Sequence, residues 1–169
     1  MTGNPQITLG FGGPFDEVLP DEKYPKPTAE QLTAWRKRLK ENGTKILYHQ
    51  TSTQIAEKIL NSNKMIRGTS GLAGGGIYFA TTPEHTDHKA LQKGSILECE
   101  VALGNIYQTE SYGDSSLSFR KLLSMNPSYD SVLIPRKNGY EYVVYSWEQV
   151  KSVKMYESPE IKTSSWWFW

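Results

Sequence analysis

Short segments rich in β-branched and aromatic residues mix irregularly with helical segments, and this order constrains the fold more than any other feature of the sequence. Strands are predicted at 45–49, 76–80, 95–103, 130–134, 140–146 and 150–156. Helices are predicted at about 28–42, 52–60 and 116–124, and Pro83 is expected to open another. Because helices do not separate the strands regularly, the sequence predicts an α+β fold rather than a doubly wound sheet.

The 169 residues are enough for one domain, which we place at residues 28–158. Residues 1–27 are rich in Gly and Pro without a sustained period, which predicts an irregular arm. Thr28 and Gln31 form a predicted capping box at the start of the domain's first helix. Residues 159–169 form an aromatic tail that includes Trp166, Trp167 and Trp169. We expect a monomer.

The net charge argues against two kinds of binding partner, and the single cysteine cannot form an internal disulfide. A net charge of +1 argues against a protein built for bulk electrostatic capture of nucleic acid or of an acidic membrane. The single cysteine, Cys99, lies in a predicted strand, where we expect it to pack as a small apolar residue. The first helix carries four basic residues that are interpreted as a solvated face, with a patch facing phosphate or nucleic acid as the alternative: Arg36, Lys37, Arg38 and Lys40.

The N-terminus lacks the charged and apolar regions of a signal peptide, and the sequence has no run of 18 apolar residues. The expected location is therefore cytoplasmic or nuclear, and no membrane partner is expected. A secreted effector without a leader would have the same appearance.

Three polar residues stand in otherwise apolar strands: His49, Tyr78 and Glu141. Strand alternation places Glu141 on one face with Val143 and Tyr145. A buried carboxylate must be paired or hydrogen-bonded, so Glu141 either has partners, points to water from an edge strand, or has a function. Taken singly, His49 is readily explained as a structural histidine and Tyr78 as a core aromatic.

The flanks of these residues carry a resemblance. The segments concerned are 47–52 (Leu-Tyr-His-Gln-Thr-Ser), 75–80 (Gly-Gly-Ile-Tyr-Phe-Ala), 100–107 (Glu-Val-Ala-Leu-Gly-Asn-Ile-Tyr), 129–132 (Tyr-Asp-Ser-Val) and 140–145 (Tyr-Glu-Tyr-Val-Val-Tyr). In this order, over roughly residues 45–156, they resemble the catalytic domain of the poly(ADP-ribose) polymerase family, the ADP-ribosyltransferases with a His-Tyr-Glu triad. The resemblance implies a split mixed or antiparallel β-sheet with flanking helices.

The resemblance also implies that NAD⁺ is a substrate and that His49, Tyr78 and Glu141 are catalytic. Cleavage of the nicotinamide–ribose bond passes through an oxocarbenium-like ribose, as glycoside hydrolysis does. By the resemblance, Glu141 would bind the ribose 2-hydroxyl and polarise the acceptor. His49 would bind the adenosine ribose, supported by Thr51, and Tyr78 would stack on nicotinamide.

Further binding residues follow from the same resemblance. The backbone of Gln50 would hold the nicotinamide carboxamide, and Arg67 is expected to clamp the pyrophosphate. Gly76, with the other glycines of 68–76, would let the backbone approach the dinucleotide.

The sequence departs from the family at two points. Gln50 stands where the family has glycine, and we expect a negative φ there. A second stacking tyrosine is missing after Ala80, where Thr86 and His88 are the candidates to contact the ligand.

The predicted activity is mono-ADP-ribosylation of a protein or nucleic-acid acceptor, because segment 111–128 is short for a loop that grips a growing polymer. Two alternatives stay open: an NAD⁺ glycohydrolase, and a weakly active module that binds NAD⁺ or ADP-ribose. No metal is expected, since the histidines near Glu84 lack a distant matching pair of ligands.

Overall fold

The computed structural model describes residues 23–88 and 94–157, with the side chain of His88 outside that set. The predictions for the tail, and for the arm up to residue 22, lie outside the described residues. The helices are α1 (Ala29–Glu41), α2 (Thr53–Ser62) and α3 (Phe119–Ser124), with 3₁₀ helices at Glu84–His88 and Trp147–Gln149. The strands are β1 (Lys45–Thr51), β2 (Ile77–Ala80), β3 (Ser95–Val101), β4 (Ile106–Gln108), β5 (Ser131–Arg136), β6 (Gly139–Val144) and β7 (Val150–Met155).

The strands form one sheet in the order β4-β5-β6-β2-β1-β3-β7. Neighbouring strands run antiparallel except for β4 and β5, which are parallel. The α+β prediction with a mixed sheet is therefore confirmed. Strand β4 was not predicted, because three residues are too few to show an alternating pattern.

The sheet is covered on both faces by apolar side chains. One cluster includes Leu47, Phe79 and Cys99 and packs against Ile59 of α2. A second cluster includes Val132, Ile134, Val143 and Tyr145, with Leu117 and Leu122. Helix α1 adds a third through Trp35 and Leu39, which pack against Ala102 and Leu123. Burial on both faces lets the central strands hold polar side chains in defined positions.

Local sequence signals give the helix boundaries. Thr28 Oγ1 accepts from Gln31 N at 3.1 Å and Gln31 Oε1 accepts from Thr28 N at 2.9 Å, so the predicted capping box is confirmed. Ser52 caps α2 with one bond, its hydroxyl accepting from Ile55 N at 3.3 Å. Cys99 is buried in the core with its Sγ 3.8 Å from the sulfur of Met65, and burial raises its pKa to about 12. Its predicted packing role is confirmed.

The basic residues of α1 do not all form a solvated face. Arg38 Nη2 lies 2.7 Å from Asp130 Oδ1, and the Asp130 side chain is fully buried. Arg36 Nε lies 3.1 Å from Glu148 Oε2. The solvated-face interpretation is wrong for Arg38, but it describes Arg36, whose side chain is 52% exposed. Both arginines connect α1 to the segments before β5 and β7.

No helix among the described residues combines the length and the apolar character that crossing a bilayer requires.

Candidate functional site

The pairing between β1 and β2 breaks off where the predicted site residues meet. Tyr48 pairs with Ala80, and continued antiparallel pairing would place His49 opposite Phe79 and Gln50 opposite Tyr78, but the pairing stops at Tyr48. Instead, the Nδ1 atom of His49 lies 2.7 Å from the carbonyl oxygen of Tyr78. A carbonyl oxygen can only accept, so Nδ1 carries a hydrogen and donates it. The imidazole of His49 therefore bonds to the Tyr78 carbonyl oxygen at the point where the pairing between β1 and β2 stops.

The backbone of Gln50 points toward the part of β2 with which β1 does not pair, and this break in the pairing is called the gap below. Ile96, its partner on β3, accepts a hydrogen bond from Tyr156 N at 2.8 Å and so directs its polar groups toward β7. In an antiparallel sheet, a residue bonded on one side forms a non-bonded pair on the other. Gln50 therefore directs its N–H and C=O away from β3, toward β2. Because Asn63 is the sole non-glycine residue with positive φ in the described segments, the predicted negative φ of Gln50 is confirmed.

His49 presents a neutral acceptor. Burial lowers its pKa below the ordinary 6.5, and the hydrogen bond to the Tyr78 backbone opposes that shift. At pH 7 the ring is therefore neutral, with its hydrogen on Nδ1 and a free electron pair on Nε2. The ring meets Phe79 edge-on, with centroids 6.0 Å apart. Thr51, two residues along β1, is buried on the same face.

The Tyr78 hydroxyl fixes the glycine-rich loop. It accepts from Ala73 N at 2.8 Å and donates to Gly74 O at 2.6 Å. Burial, aided by the charge of Glu141, raises the pKa of Tyr78 to about 12, although the Ala73 hydrogen bond opposes this. The hydroxyl thus stays protonated at physiological pH and holds the loop against β2.

Glu141 lies in the interior of the sheet. Strand β6 runs between β5 and β2, which places Glu141 opposite Ile134 and Ala80, and the residue is 5% exposed. Its carboxylate oxygen lies 3.9 Å from Nε of Arg136, which offsets part of the cost of burying the charge. The edge-strand explanation is therefore wrong. Val143 and Tyr145 lie in the core cluster of the same face, as strand alternation predicted.

The three triad candidates approach the gap from two faces of the sheet. Tyr78 and Glu141 share the face of the second core cluster, whereas His49 lies on the opposite face with Phe79. His49 thus contacts the main chain of Tyr78 and not its hydroxyl. The structure brings the three residues to the same strand junction without a direct triad of side chains.

Gln50 and Thr86, two further candidates, are bonded to each other. Gln50 Nε2 donates to Thr86 Oγ1 at 2.8 Å and to Asp87 Oδ1 at 2.9 Å. The Thr86 hydroxyl in turn donates to Pro83 O at 2.6 Å. Sequence reasoning did not single out Asp87, because nothing local marks it as a partner of Gln50. The candidate His88 follows, but its side chain is outside the described residues.

Arg67 and Gly76 lie at the two ends of the glycine-rich loop. Arg67 is half-buried, and its Nη1 donates to Gly68 O at 3.1 Å. Gly76 is buried, and a Cβ there would collide with Val143 and crowd Val144 O. Packing against β6 is thus sufficient to require glycine at position 76. Contact of either residue with a dinucleotide stays a prediction.

No group of three or more His, Cys, Asp or Glu in residues 23–88 and 94–157 is arranged to hold a metal ion. Comparison with models of known protein families gives no match, and comparison with curated proteins gives none either.

Proposed function

We propose that this protein is an ADP-ribosyltransferase that uses NAD⁺ as a substrate, releases nicotinamide, and attaches one ADP-ribose to a protein or nucleic-acid acceptor. One observation carries the proposal, namely the gap between β1 and β2. There the His49 side chain bonds to the Tyr78 carbonyl oxygen, and the N–H and C=O of Gln50 face the gap. A carboxamide needs one N–H donor and one C=O acceptor, and an extended residue offers both along one edge. The nicotinamide carboxamide matches this pair of groups.

The His49 side chain can bind a ribose hydroxyl. Its neutral Nε2 can accept a hydrogen bond from a hydroxyl, and the bond from Nδ1 to Tyr78 fixes the tautomer and the ring orientation. We assign Nε2 to the adenosine ribose and Arg67, at the start of the glycine-rich loop, to the pyrophosphate. The Tyr78 ring, held through its hydroxyl, would form an apolar wall beside nicotinamide.

The Glu141 carboxylate would stabilise the transition state for cleavage of the nicotinamide–ribose bond. As the bond between nicotinamide and the anomeric carbon breaks, the bonding electrons leave with neutral nicotinamide and the ribose becomes positively charged. A buried carboxylate on the 2-hydroxyl interacts more strongly with that cationic ribose than with bound NAD⁺, which lowers the barrier. The acceptor oxygen or nitrogen then attacks the anomeric carbon, and its proton passes to Glu141.

The test incubates the purified chain with NAD⁺ labelled on its adenylate phosphate, in the presence of lysate proteins or nucleic acids. Release of nicotinamide together with label retained on an acceptor is the expected result. Nicotinamide without retained label indicates a glycohydrolase. Binding of NAD⁺ without turnover indicates a binding module, and neither binding nor turnover overturns the proposed use of NAD⁺.

A further inference from the structure

Gln50 connects the gap between β1 and β2 to the 3₁₀ helix Glu84–His88. Its backbone faces the gap, while its side chain reaches Thr86 and Asp87 of that helix. Gln50 and Thr86 are both buried, so the hydrogen bond between them is shielded from water, whereas the bond to the exposed Asp87 is only partly buried. One residue thus contacts two parts of the candidate site.

The orientation of the Gln50 amide follows from what its two partners can donate and accept. The Thr86 hydroxyl uses its hydrogen on Pro83 O and must accept from Gln50. The Asp87 carboxylate accepts as well, so both partners require the nitrogen of the amide and not its oxygen. The bond to Asp87 is also charge-assisted, which makes it stronger than a neutral one.

These bonds differ in reach from the others in the helix. The amide and hydroxyl of Thr86 both bond to Pro83 O and maintain the local turn. The bonds from Gln50 instead cross 36 and 37 residues of sequence to reach the helix from β1. They fix the position of the helix relative to the strand and not its shape.

We propose that Gln50 is a positioning residue that holds the Glu84–His88 helix as a fixed wall beside the gap, so that NAD⁺ meets a preformed site. This inference rests on the proposed function. A glycine at position 50 would keep the backbone groups and lose the wall, whereas glutamine provides both. Because the helix is already held in place before NAD⁺ binds, less conformational entropy is lost on binding. Loss of the Gln50 contacts should therefore raise KM for NAD⁺ and leave kcat unchanged.

The test exchanges donor and acceptor across this contact. Gln50→Glu places a carboxylate against Asp87, which breaks the contact and is expected to raise KM for NAD⁺ about tenfold with kcat within about twofold. Adding Asp87→Asn supplies an amide donor to the new carboxylate, and the Thr86 hydroxyl can turn from Pro83 O, which keeps its bond from Thr86 N, to donate to it as well. KM should then return to within about threefold of wild type. Asp87→Ala, at an exposed position, removes one bond without adding charge and should raise KM about threefold.

Hydrogen exchange of the amides of residues 84–88 in the free protein measures the same link without catalysis. Exchange should quicken in Gln50→Glu and recover in the double variant, while the matched control Gln54→Glu, at an exposed position of α2, changes neither exchange nor KM. Unchanged KM in folded Gln50→Glu and Asp87→Ala, or no recovery on adding Asp87→Asn, overturns the inference. A wild-type protein that does not turn over NAD⁺ refutes the proposed function instead, and unchanged exchange in Gln50→Glu then still overturns the link.

Discussion

Replacing Glu141 with glutamine preserves the size of the side chain and removes the charge on which the proposed transition state depends. The residue is 5% exposed, so little water is available to substitute for the lost carboxylate. Removing one preorganised electrostatic partner of a transition state costs about 10²–10³ in kcat, or about 3–4 kcal/mol. We expect a loss of that size in nicotinamide release and in transfer, with the Kd for NAD⁺ changed by less than about threefold.

The fold should tolerate this substitution. Arg136, the ionic partner of Glu141, is 34% exposed at its side chain and lies 3.9 Å away, so water can solvate it when the carboxylate is gone. Glutamine also leaves no charge to bury at this interior position, so the free energy of unfolding should change by about 1 kcal/mol or less. A catalytic loss without a loss of stability would separate chemistry from folding.

Nicotinamide release under single-turnover conditions, calorimetry with NAD⁺ and thermal melting together measure these three quantities. Glu148→Gln is the matched control, because Glu148 also pairs with an arginine, at 3.1 Å, and its side chain is 24% exposed. That variant should keep wild-type kcat. Full transfer by folded Glu141→Gln on the same acceptor would refute the role assigned to the carboxylate.

Three further predictions concern binding and stability. Since burial lowers the pKa of His49 below 6.5, its neutral Nε2 is fully present at pH 7, and NAD⁺ affinity by calorimetry should fall as the pH drops through the lowered pKa; His49→Ala should weaken binding and abolish this pH dependence. Tyr78→Phe removes the hydroxyl bonds to the glycine-rich loop and should cost about 1–3 kcal/mol in urea unfolding; an unchanged midpoint would show that the loop is held by other contacts. Arg38→Met leaves the fully buried Asp130 carboxylate without its guanidinium and should cost about 3–5 kcal/mol, whereas Lys37→Met, at an exposed ion pair, should cost less than about 1 kcal/mol.

The sequence by itself determined the elements whose signals are local. The capping box joins residues three apart, so Thr28 and Gln31 predict the start of α1 without knowledge of the rest of the chain. Alternation along β6 likewise placed Glu141 on the face of Val143, because the side-chain period of a strand is fixed by its backbone. Cys99 was expected in the core because a free cysteine in an apolar strand usually packs as a small apolar residue.

Only the tertiary structure decided which elements became neighbours. Nothing near Glu141 in sequence shows that β6 lies between β5 and β2, and that position makes its carboxylate an interior group rather than an edge group. The bond from His49 to the Tyr78 carbonyl spans 29 residues, and the bond from Gln50 to Asp87 spans 37. Such contacts depend on how the strands pair and where the pairing stops. Strand pairing is determined by which faces of the whole chain become buried, and local residue preferences do not predict it.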